Sequence, residues 1–209
     1  MPIVEDLQQR TDEWLAMRCG CFTASRCDDG TAKLKSGKYS ERRQDYLTEV
    51  VYERLTGLHF DHYVSPAMEY GTEQEPFARA AYETARDVLV EEVGLAIHPS
   101  VKGFVASPDG LVGNDGCIEI KVPNIRTHIE WLLAGDVPPE HIPQIKAVLA
   151  CTGRQWCDFI SYSPKLPPYL RLFICRLERD EAKIREMEAE VVKFLQEVDA
   201  MVERLRSLQ

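Results

Sequence analysis

One stretch decides how this chain folds: residues 107–121, which read Ser-Pro-Asp-Gly-Leu-Val-Gly-Asn-Asp-Gly-Cys-Ile-Glu-Ile-Lys. Its last five residues alternate as in a β-strand, which places Glu119 and Lys121 on one face and two isoleucines on a buried opposite face. Residues 113–116 form a turn before this strand, and Asp109 lies at the end of the strand before the turn. If the two strands pair as a hairpin, we expect the carboxylates of Asp109 and Glu119 to lie close together.

Two neighbouring carboxylates and an amine indicate a site for a divalent cation. The carboxylates repel each other at neutral pH unless a proton or a cation intervenes. Oxygen ligands without paired histidines favour Mg²⁺, with Mn²⁺ as an alternative, and such a cation activates water for attack on a phosphodiester. Lys121 is placed to orient or deprotonate that water, with a pKa depressed by burial and by the cation. The backbone carbonyl of Ile120 is a further candidate ligand. A surface hairpin with one cross-strand ion pair is the alternative interpretation.

The size and composition indicate one domain. The chain has 209 residues, of which 44% are hydrophobic, enough for one sizeable core. Because it shows no repeat and no long linker, we expect a single domain over residues 1–209. No apolar run is long enough to span a membrane, and the N-terminus lacks the features of a signal peptide. We therefore expect a cytoplasmic protein.

The charge and the cysteines narrow the class of protein. A net charge of −9 argues against a protein that coats nucleic acid through bulk electrostatics, but not against an enzyme with a local basic channel. The seven cysteines contain no CxxC pair, which zinc sites need. Cys19, Cys21 and Cys27 are the nearest approach to a metal or iron–sulfur site. Scattered reduced cysteines that act as small hydrophobes are the favoured interpretation.

Hydrophobic periodicity predicts alternating helices and strands. Helices are predicted at residues 12–18, 43–56, 71–88, around 129–133, 142–152 and 180–208. Strands are predicted at residues 93–98, 103–107, 117–122, 156–161 and 169–177. Pro76 is expected in the first turn of the third helix. The last helix is amphipathic, and its apolar face is expected to pack on the domain or to form a subunit interface. The densest basic run, residues 31–43, is interpreted as a solvated surface loop or as a loop that contacts phosphate.

Further motifs accompany the hairpin, in order along the chain. They are Gln9-Arg10-Thr11-Asp12-Glu13-Trp14, Arg18, Phe22-Thr23-Ala24-Ser25, Tyr70-Gly71-Thr72-Glu73-Gln74-Glu75-Pro76-Phe77-Ala78-Arg79, Ala106-Ser107-Pro108-Asp109-Gly110-Leu111, Glu119-Ile120-Lys121-Val122-Pro123 and Gln144. Together they resemble the PD-(D/E)xK nuclease superfamily, and specifically its lambda-exonuclease-like, YqaJ-type viral recombinase family. The resemblance covers most of residues 8–178. It implies an α/β fold in which helices flank a central mixed β-sheet.

The resemblance also implies an activity and a catalytic set. Members of the family degrade double-stranded DNA processively from the 5′ end and leave a 3′ overhang. By resemblance, Asp109 and Glu119 hold two Mg²⁺ ions, and Lys121 positions the attacking water. Glu75 contributes to the side of the second metal, and Gln144 completes the catalytic set.

A second set of residues is implied at the DNA end. Arg18 matches the family's arginine that binds the terminal 5′ phosphate, and Ser25 and Ser107 match hydroxyl residues of that pocket, with Thr23 beside them. A guanidinium can grip a phosphate through two parallel hydrogen bonds. Lys146 stands where the family usually has a second glutamine, and we assign it to DNA binding because a lysine near phosphates is electrostatically favourable.

Partners follow from the same resemblance. We expect a homotrimeric ring around DNA ends, with a basic inner channel formed by Lys33, Lys35, Lys38, Arg42 and Arg43. The overhang would pass to the single-strand annealing protein of a phage or prophage recombination system in the host cytoplasm. Two alternatives stay open: a Cas4/RecB-like single-strand nuclease, which commonly carries an iron–sulfur cluster, and a non-catalytic DNA-end-binding module.

Overall fold

The computed structural model describes residues 3–34 and 36–208. The helices are α1 (Asp12–Arg18), α2 (Cys27–Thr31), α3 (Glu41–Thr56), α4 (Pro66–Arg86), α5 (Ile125–Ala134), α6 (Ile142–Thr152) and α7 (Glu181–Arg206). The strands are β1 (Ile3–Val4), β2 (Phe22–Thr23), β3 (Val90–Glu91), β4 (Leu95–Ile97), β5 (Phe104–Ala106), β6 (Gly110–Val112), β7 (Gly116–Lys121), β8 (Trp156–Tyr162) and β9 (Leu172–Glu178). Short 3-10 turns lie at Ala24–Arg26, Pro139–His141 and Pro168–Leu170.

The described strands form two mixed sheets flanked by helices. One has the order β1-β4-β5-β2 and the other the order β3-β6-β7-β8-β9. The mixed α/β class is confirmed, and the strands expected in one central sheet are divided between these two. The division falls after β5, where Pro108 has no N–H to donate to a sheet ladder. The connection from β5 to β6 therefore carries Asp109 between the two sheets.

Helices cover both faces of the second sheet, so both faces of β7 are buried. Ile118 and Ile120 pack with Ala78 and Tyr82 of α4. Side chains on the other face, such as Phe159 of β8, join the main core with α3, α6 and α7. The expectation of a single buried face on this strand was therefore incomplete, because the face that carries the acid and the amine also points inward.

The C-terminal helix α7 packs along the main core, which confirms the packing interpretation of its apolar face. Asp180 caps its first turn by accepting hydrogen bonds from the N–H groups of Ala182 and Lys183, both at 3.1 Å. Its buried residues are Ile184, Met187, Val191, Phe194, Leu195, Val198 and Val202. These residues are buried within one chain and are therefore not available as a subunit interface. None of the described helices is both long and apolar enough to cross a membrane.

Helix α4 begins earlier than predicted. It starts at Pro66, capped by the hydroxyl of Ser65, and not at Gly71. Pro76 consequently lies inside the helix, where it removes one hydrogen bond of the ladder. Phe77, which follows it in the helix, is 61% exposed. The cap at Ser65 was missed because the apolar pattern of the helix begins only after residue 71.

The basic run at residues 31–43 does not present a free cationic surface. Lys33 pairs with Glu190, and Arg42 pairs with Asp28 and Asp29. Arg43 is buried and lies 3.6 Å from the ring of Tyr39. Lys38 is exposed, and Lys35 lies outside the described residues. Three of the cationic side chains expected to line a basic channel are therefore paired with acids of the same chain.

The buried guanidinium of Arg43 is paired with a carboxylate of α7. Its two terminal nitrogens lie 2.8 and 3.0 Å from the carboxylate of Glu197 on α7. We expect Glu197→Ala to lower the free energy of unfolding by about 2–3 kcal/mol, because it leaves a buried charge without its partner. Water reaches Glu197, which is 44% exposed, and reduces the loss below that of a fully buried pair. Urea denaturation measures it, with the exposed Glu186→Ala on the same helix as control; equal losses in both variants would contradict it.

Candidate active site

The site lies where the short β6 ends beside the longer β7. Gly110 of β6 faces Ile118, so β7 continues past its neighbour to Lys121. On this open edge the N–H of Ile120 donates a hydrogen bond to Oδ2 of Asp109 at 2.6 Å. The predicted hairpin is present, but Asp109 directly precedes β6 and is not at the end of β5, which belongs to the other sheet.

Glu119 and Lys121 form an inward-facing ion pair. Nζ of Lys121 lies 2.6 Å from Oε1 of Glu119 and donates to Oε1 of Gln144 at 3.4 Å. Glu119 is only 1% exposed, and among the described residues neither of its carboxylate oxygens accepts a hydrogen bond of good geometry. The surface-hairpin alternative is therefore wrong. A buried carboxylate with unfilled acceptor capacity calls for a cation.

The two carboxylates repel each other as expected. Burial, and then the negative charge of Glu119, raise the pKa of Asp109 to about 8, although the ammonium of Lys121 acts in the opposite direction. The charge of Glu75 adds to the increase. Asp109 thus holds a proton at neutral pH unless another positive charge arrives.

The pKa of Lys121 is raised in the cation-free protein. Desolvation by burial lowers it, but the negative charges of Glu119 and Asp109 outweigh desolvation and raise the pKa above its ordinary value. The expected depression assumed a bound cation; in the cation-free protein two buried acids stabilise the ammonium form. In this state Lys121 is a hydrogen-bond donor and not a base.

The residues at this edge fit a hard divalent cation. Asp109 and Glu119 would supply carboxylate oxygens to it, and the carbonyl of Ile120 leaves the strand on the same side as its N–H. Within residues 3–34 and 36–208, no group of three or more His, Cys, Asp or Glu side chains is arranged to hold a metal. Two carboxylates, one backbone oxygen and water are a donor set of the kind Mg²⁺ accepts.

Glu75 is near this site but already has a partner. It lies on α4 and lines, with Asp109, a cavity of about 340 Å³. Nη2 of Arg10 lies 2.8 Å from its Oε1 and 2.7 Å from its Oε2. The structure therefore brings Glu75 to the cavity, but as the ion-pair partner of Arg10. Sequence reasoning missed this role of Arg10, although the residue belongs to a motif that it singled out.

Arg18 and Ser107 are in direct contact beside a second pocket. Nη1 of Arg18 donates to Oγ of Ser107 at 2.9 Å, and its guanidinium lies 4.0 Å from the ring centre of Trp14. Nε1 of Trp14 donates to the same Oγ at 2.9 Å. Because this Oγ accepts two hydrogen bonds, its O–H stays free to donate to an anion. Arg18 pairs with no carboxylate among the described residues.

Thr23 and Ser25 line the same pocket as Arg18, which has a volume of about 150 Å³. Their hydroxyl oxygens lie 3.4 Å apart, and the N–H of Thr23 donates to the hydroxyl of Tyr46 at 2.8 Å. Sequence reasoning missed Tyr46, because its contact crosses from α3. Four of the five residues assigned to end binding are thus gathered together.

Lys146 lies elsewhere. It lines a separate surface cleft with Ile142, residues 177–183 and Arg185. Residues two apart on a helix point in nearly opposite directions, so Gln144 reaches Lys121 while Lys146 turns away. The structure therefore gives no support to a phosphate contact by Lys146.

The described residues do not arrange the cysteine group as a set of metal ligands. Cys19, Cys21 and Cys27 are free thiols, and no three ligand side chains converge on a metal position in the described part of the chain. Burial raises the pKa of all three thiols, that of Cys27 to about 12. This agrees with the interpretation of these residues as small hydrophobes.

Comparisons with known proteins place the chain in a family. Residues 13–155 match the model of the YqaJ-like viral recombinase domain. Similar solved structures are LHK-Exo, an alkaline exonuclease from Laribacter hongkongensis, and LHK-Exo in complex with dAMP. Both are 48% identical over 94% of this chain and 97% of theirs, with TM-scores of 0.87 and 0.88. A phage-related exonuclease from Haemophilus somnus shares only the fold, at 14% identity over 90% of this chain and 96% of its own, with a TM-score of 0.66. No curated protein sequence matches. The chain belongs to the family of YqaJ-like viral recombinase domains.

Proposed function

We propose that this chain is a divalent-cation-dependent exonuclease that degrades double-stranded DNA from a 5′-phosphorylated end and leaves a 3′ overhang. One observation supports the proposal: the acidic site and the guanidinium of Arg18, which pairs with no carboxylate among the described residues, are joined by three consecutive residues, 107–109. Ser107 contacts Arg18, and Asp109 belongs to the site of Glu119 and Lys121. The alkaline exonuclease activity named for LHK-Exo supports the same reaction class.

The chain's own residues explain how the site would act. A bound Mg²⁺ supplies an activated water and neutralises charge on the scissile phosphate. Asp109 and Glu119 hold the cation, and the N–H of Ile120 keeps Asp109 in place. Gln144 and Glu119 fix the ammonium of Lys121, which orients water by hydrogen bonding and stabilises developing negative charge.

The spacing of the two sites supports removal of single nucleotides. The Cα atoms of residues 107 and 109 are separated by at most roughly 7 Å, because each residue extends the chain by about 3.5 Å. A terminal phosphate held at Ser107 and Arg18 would therefore lie close to a scissile phosphate held at Asp109. This arrangement fits stepwise attack from the end better than internal cleavage.

Digestion of end-labelled linear duplex DNA tests the proposal. The duplex carries a 5′ phosphate on one strand only. With Mg²⁺ or Mn²⁺, that strand should be lost as mononucleotides, while the complementary strand persists. Preferred digestion of single strands would favour the Cas4/RecB-like alternative. Duplex-end binding with no cleavage under any divalent cation would favour the non-catalytic module.

Arg18 gives the prediction specific to end recognition. We expect Arg18→Ala to reduce the preference for 5′-phosphate over 5′-hydroxyl ends by about 10- to 100-fold, which corresponds to loss of one charge-assisted contact. Cleavage of 5′-hydroxyl ends should change much less. Arg126→Ala, which removes an exposed guanidinium on α5, is the control. An unchanged preference in Arg18→Ala would show that another group binds the end.

A homotrimeric ring and a single-strand annealing protein complete the proposal as assembly and partner. The apolar face of α7 is buried inside one subunit, so the contacts between subunits of a ring must use other surfaces. A solution mass equal to three chains supports the ring, and a mass equal to one chain rules it out.

A further inference from the structure

One nitrogen of Arg10 occupies a position that a cation would need. Nη2 is 2.8 Å from one carboxylate oxygen of Glu75 and 2.7 Å from the other. A guanidinium often meets a carboxylate with two nitrogens side by side. Here a single nitrogen lies between the two oxygens, as does a metal ion bound in bidentate fashion. The guanidinium and a bidentate cation therefore exclude each other at Glu75.

The loop that carries Arg10 is anchored on both sides. The amide of Gln9 donates to the carbonyls of Val93 and Pro108 at 2.8 and 2.9 Å, and Thr11 begins α1 as its N-cap. A Cβ atom on Gly94 would lie 2.1 Å from the carbonyl oxygen of Leu7, so only glycine permits this close approach. The loop is thus held against the residue before Asp109.

The backbone of Arg10 is held in an unfavourable conformation. Its φ of 70° lies in the left-handed region, which a residue with a branched or long side chain rarely adopts. A strained residue between two anchors indicates that its direction is enforced by the surroundings. Its side chain is nevertheless 48% exposed, so the guanidinium has room to move.

The charge of the cavity favours a cation. Five carboxylates and two arginines line it, and one of these arginines, Arg79, already pairs with Glu92 at 2.6 Å. Arg10 is thus the principal neutralising charge for Glu75. A divalent cation would supply more positive charge in less space.

We propose that Arg10 is an exchangeable counter-ion of Glu75: it neutralises this carboxylate in the free protein, is displaced by a divalent cation, and then binds a phosphate of the DNA. The inference rests on the proposed function, since it requires a cation in this cavity. It makes Arg10 a positioning residue that links cation binding to DNA binding. By reciprocity, DNA that captures the released guanidinium strengthens cation binding.

Binding of Mn²⁺ without DNA tests the displacement step. Bound Mn²⁺ is counted from the loss of the free-ion signal in electron paramagnetic resonance. We expect Arg10→Ala to bind Mn²⁺ at least fivefold more tightly than the wild type, because the competing charge is gone. Glu75→Gln should abolish this gain, and Arg126→Ala, which breaks an exposed pair with Glu130, should match the wild type.

Equal or weaker Mn²⁺ binding by Arg10→Ala would overturn the inference, since it would show that Arg10 only holds Glu75 in place. Absence of Mn²⁺ binding by the wild type would instead overturn the proposed function.

Duplex binding tests the second step, in a Lys121→Ala background that prevents digestion. With Mg²⁺ present, adding Arg10→Ala should weaken binding of a 5′-phosphorylated duplex at least fivefold. Without Mg²⁺ the same change should have less than a twofold effect, because Glu75 still holds the guanidinium. A loss of equal size with and without Mg²⁺ would overturn the exchange.

Discussion

Replacing Lys121 with alanine is expected to lower kcat by roughly 10²- to 10⁴-fold, the range for a positioned group that handles a proton or a developing charge. Lys121 lies between Glu119 and Gln144, and its ammonium is the only cationic group that these two residues contact in the described part of the chain. Its loss removes the group that orients water, while the pocket of Arg18 is untouched. Duplex ends should therefore bind with nearly unchanged affinity.

Single-turnover digestion of a labelled duplex measures the rate, and a gel-shift assay measures binding. Lys102→Ala, which removes an exposed lysine, is the matched control and should keep the wild-type rate. A less than tenfold loss of kcat in Lys121→Ala would contradict the assigned role. Equal losses of rate and binding would show that the lysine serves substrate affinity and not the chemical step.

The second large effect is the pH dependence of cation binding. Asp109 has a pKa of about 8 in the cation-free protein, so a cation that binds at lower pH must displace a proton. We expect cation affinity to rise about tenfold per pH unit up to pH 8 and then to level off. Asp109→Asn should bind cation weakly and without this slope. Calorimetric titrations in buffers of different ionisation enthalpy count the released proton directly; zero protons released at pH 7 would contradict the prediction.

The raised pKa of Asp109 also makes the stability of the folded protein depend on pH. The folded-state pKa of Asp109 is raised above its ordinary 3.8, so its contribution to stability is fully present below about pH 4 and is lost as the pH rises through 8. We therefore expect the Tm of the cation-free protein to fall across this window. Asp109→Asn should flatten that part of the curve, and the thermal shift produced by Mg²⁺ should be larger at pH 8.5 than at pH 6.

Local features were predictable where their causes lie within a few residues. The bounds of α1 and α6 agree with prediction at both ends, because Thr11 caps one start and Gly153, with φ of 67°, ends the other helix. The hairpin of Asp109 and Glu119 follows from strand alternation and a turn between them. These features depend on covalent geometry and on hydrogen bonds between near neighbours.

Features that depend on distant residues were mispredicted or missed. Arg43 was expected on a basic surface, but a carboxylate 154 residues away holds it in the interior. Arg10 belongs to a motif near the N-terminus, but its partner, Glu75, lies 65 residues further along the chain. Local patterns carry no information about such partners, because the partner is chosen by how helices pack.

By itself, the sequence of this protein determined which reactive side chains share a strand face and which helices and turns surround them, since bond geometry and short-range hydrogen bonds act along the chain. Only the tertiary structure decided the charge state and accessibility of those side chains. Burial desolvates Asp109 and raises its pKa, and the negative charges of the neighbouring acids raise the pKa of Lys121. Desolvation and charge pairing depend on everything packed within a few ångströms, whatever its position along the chain.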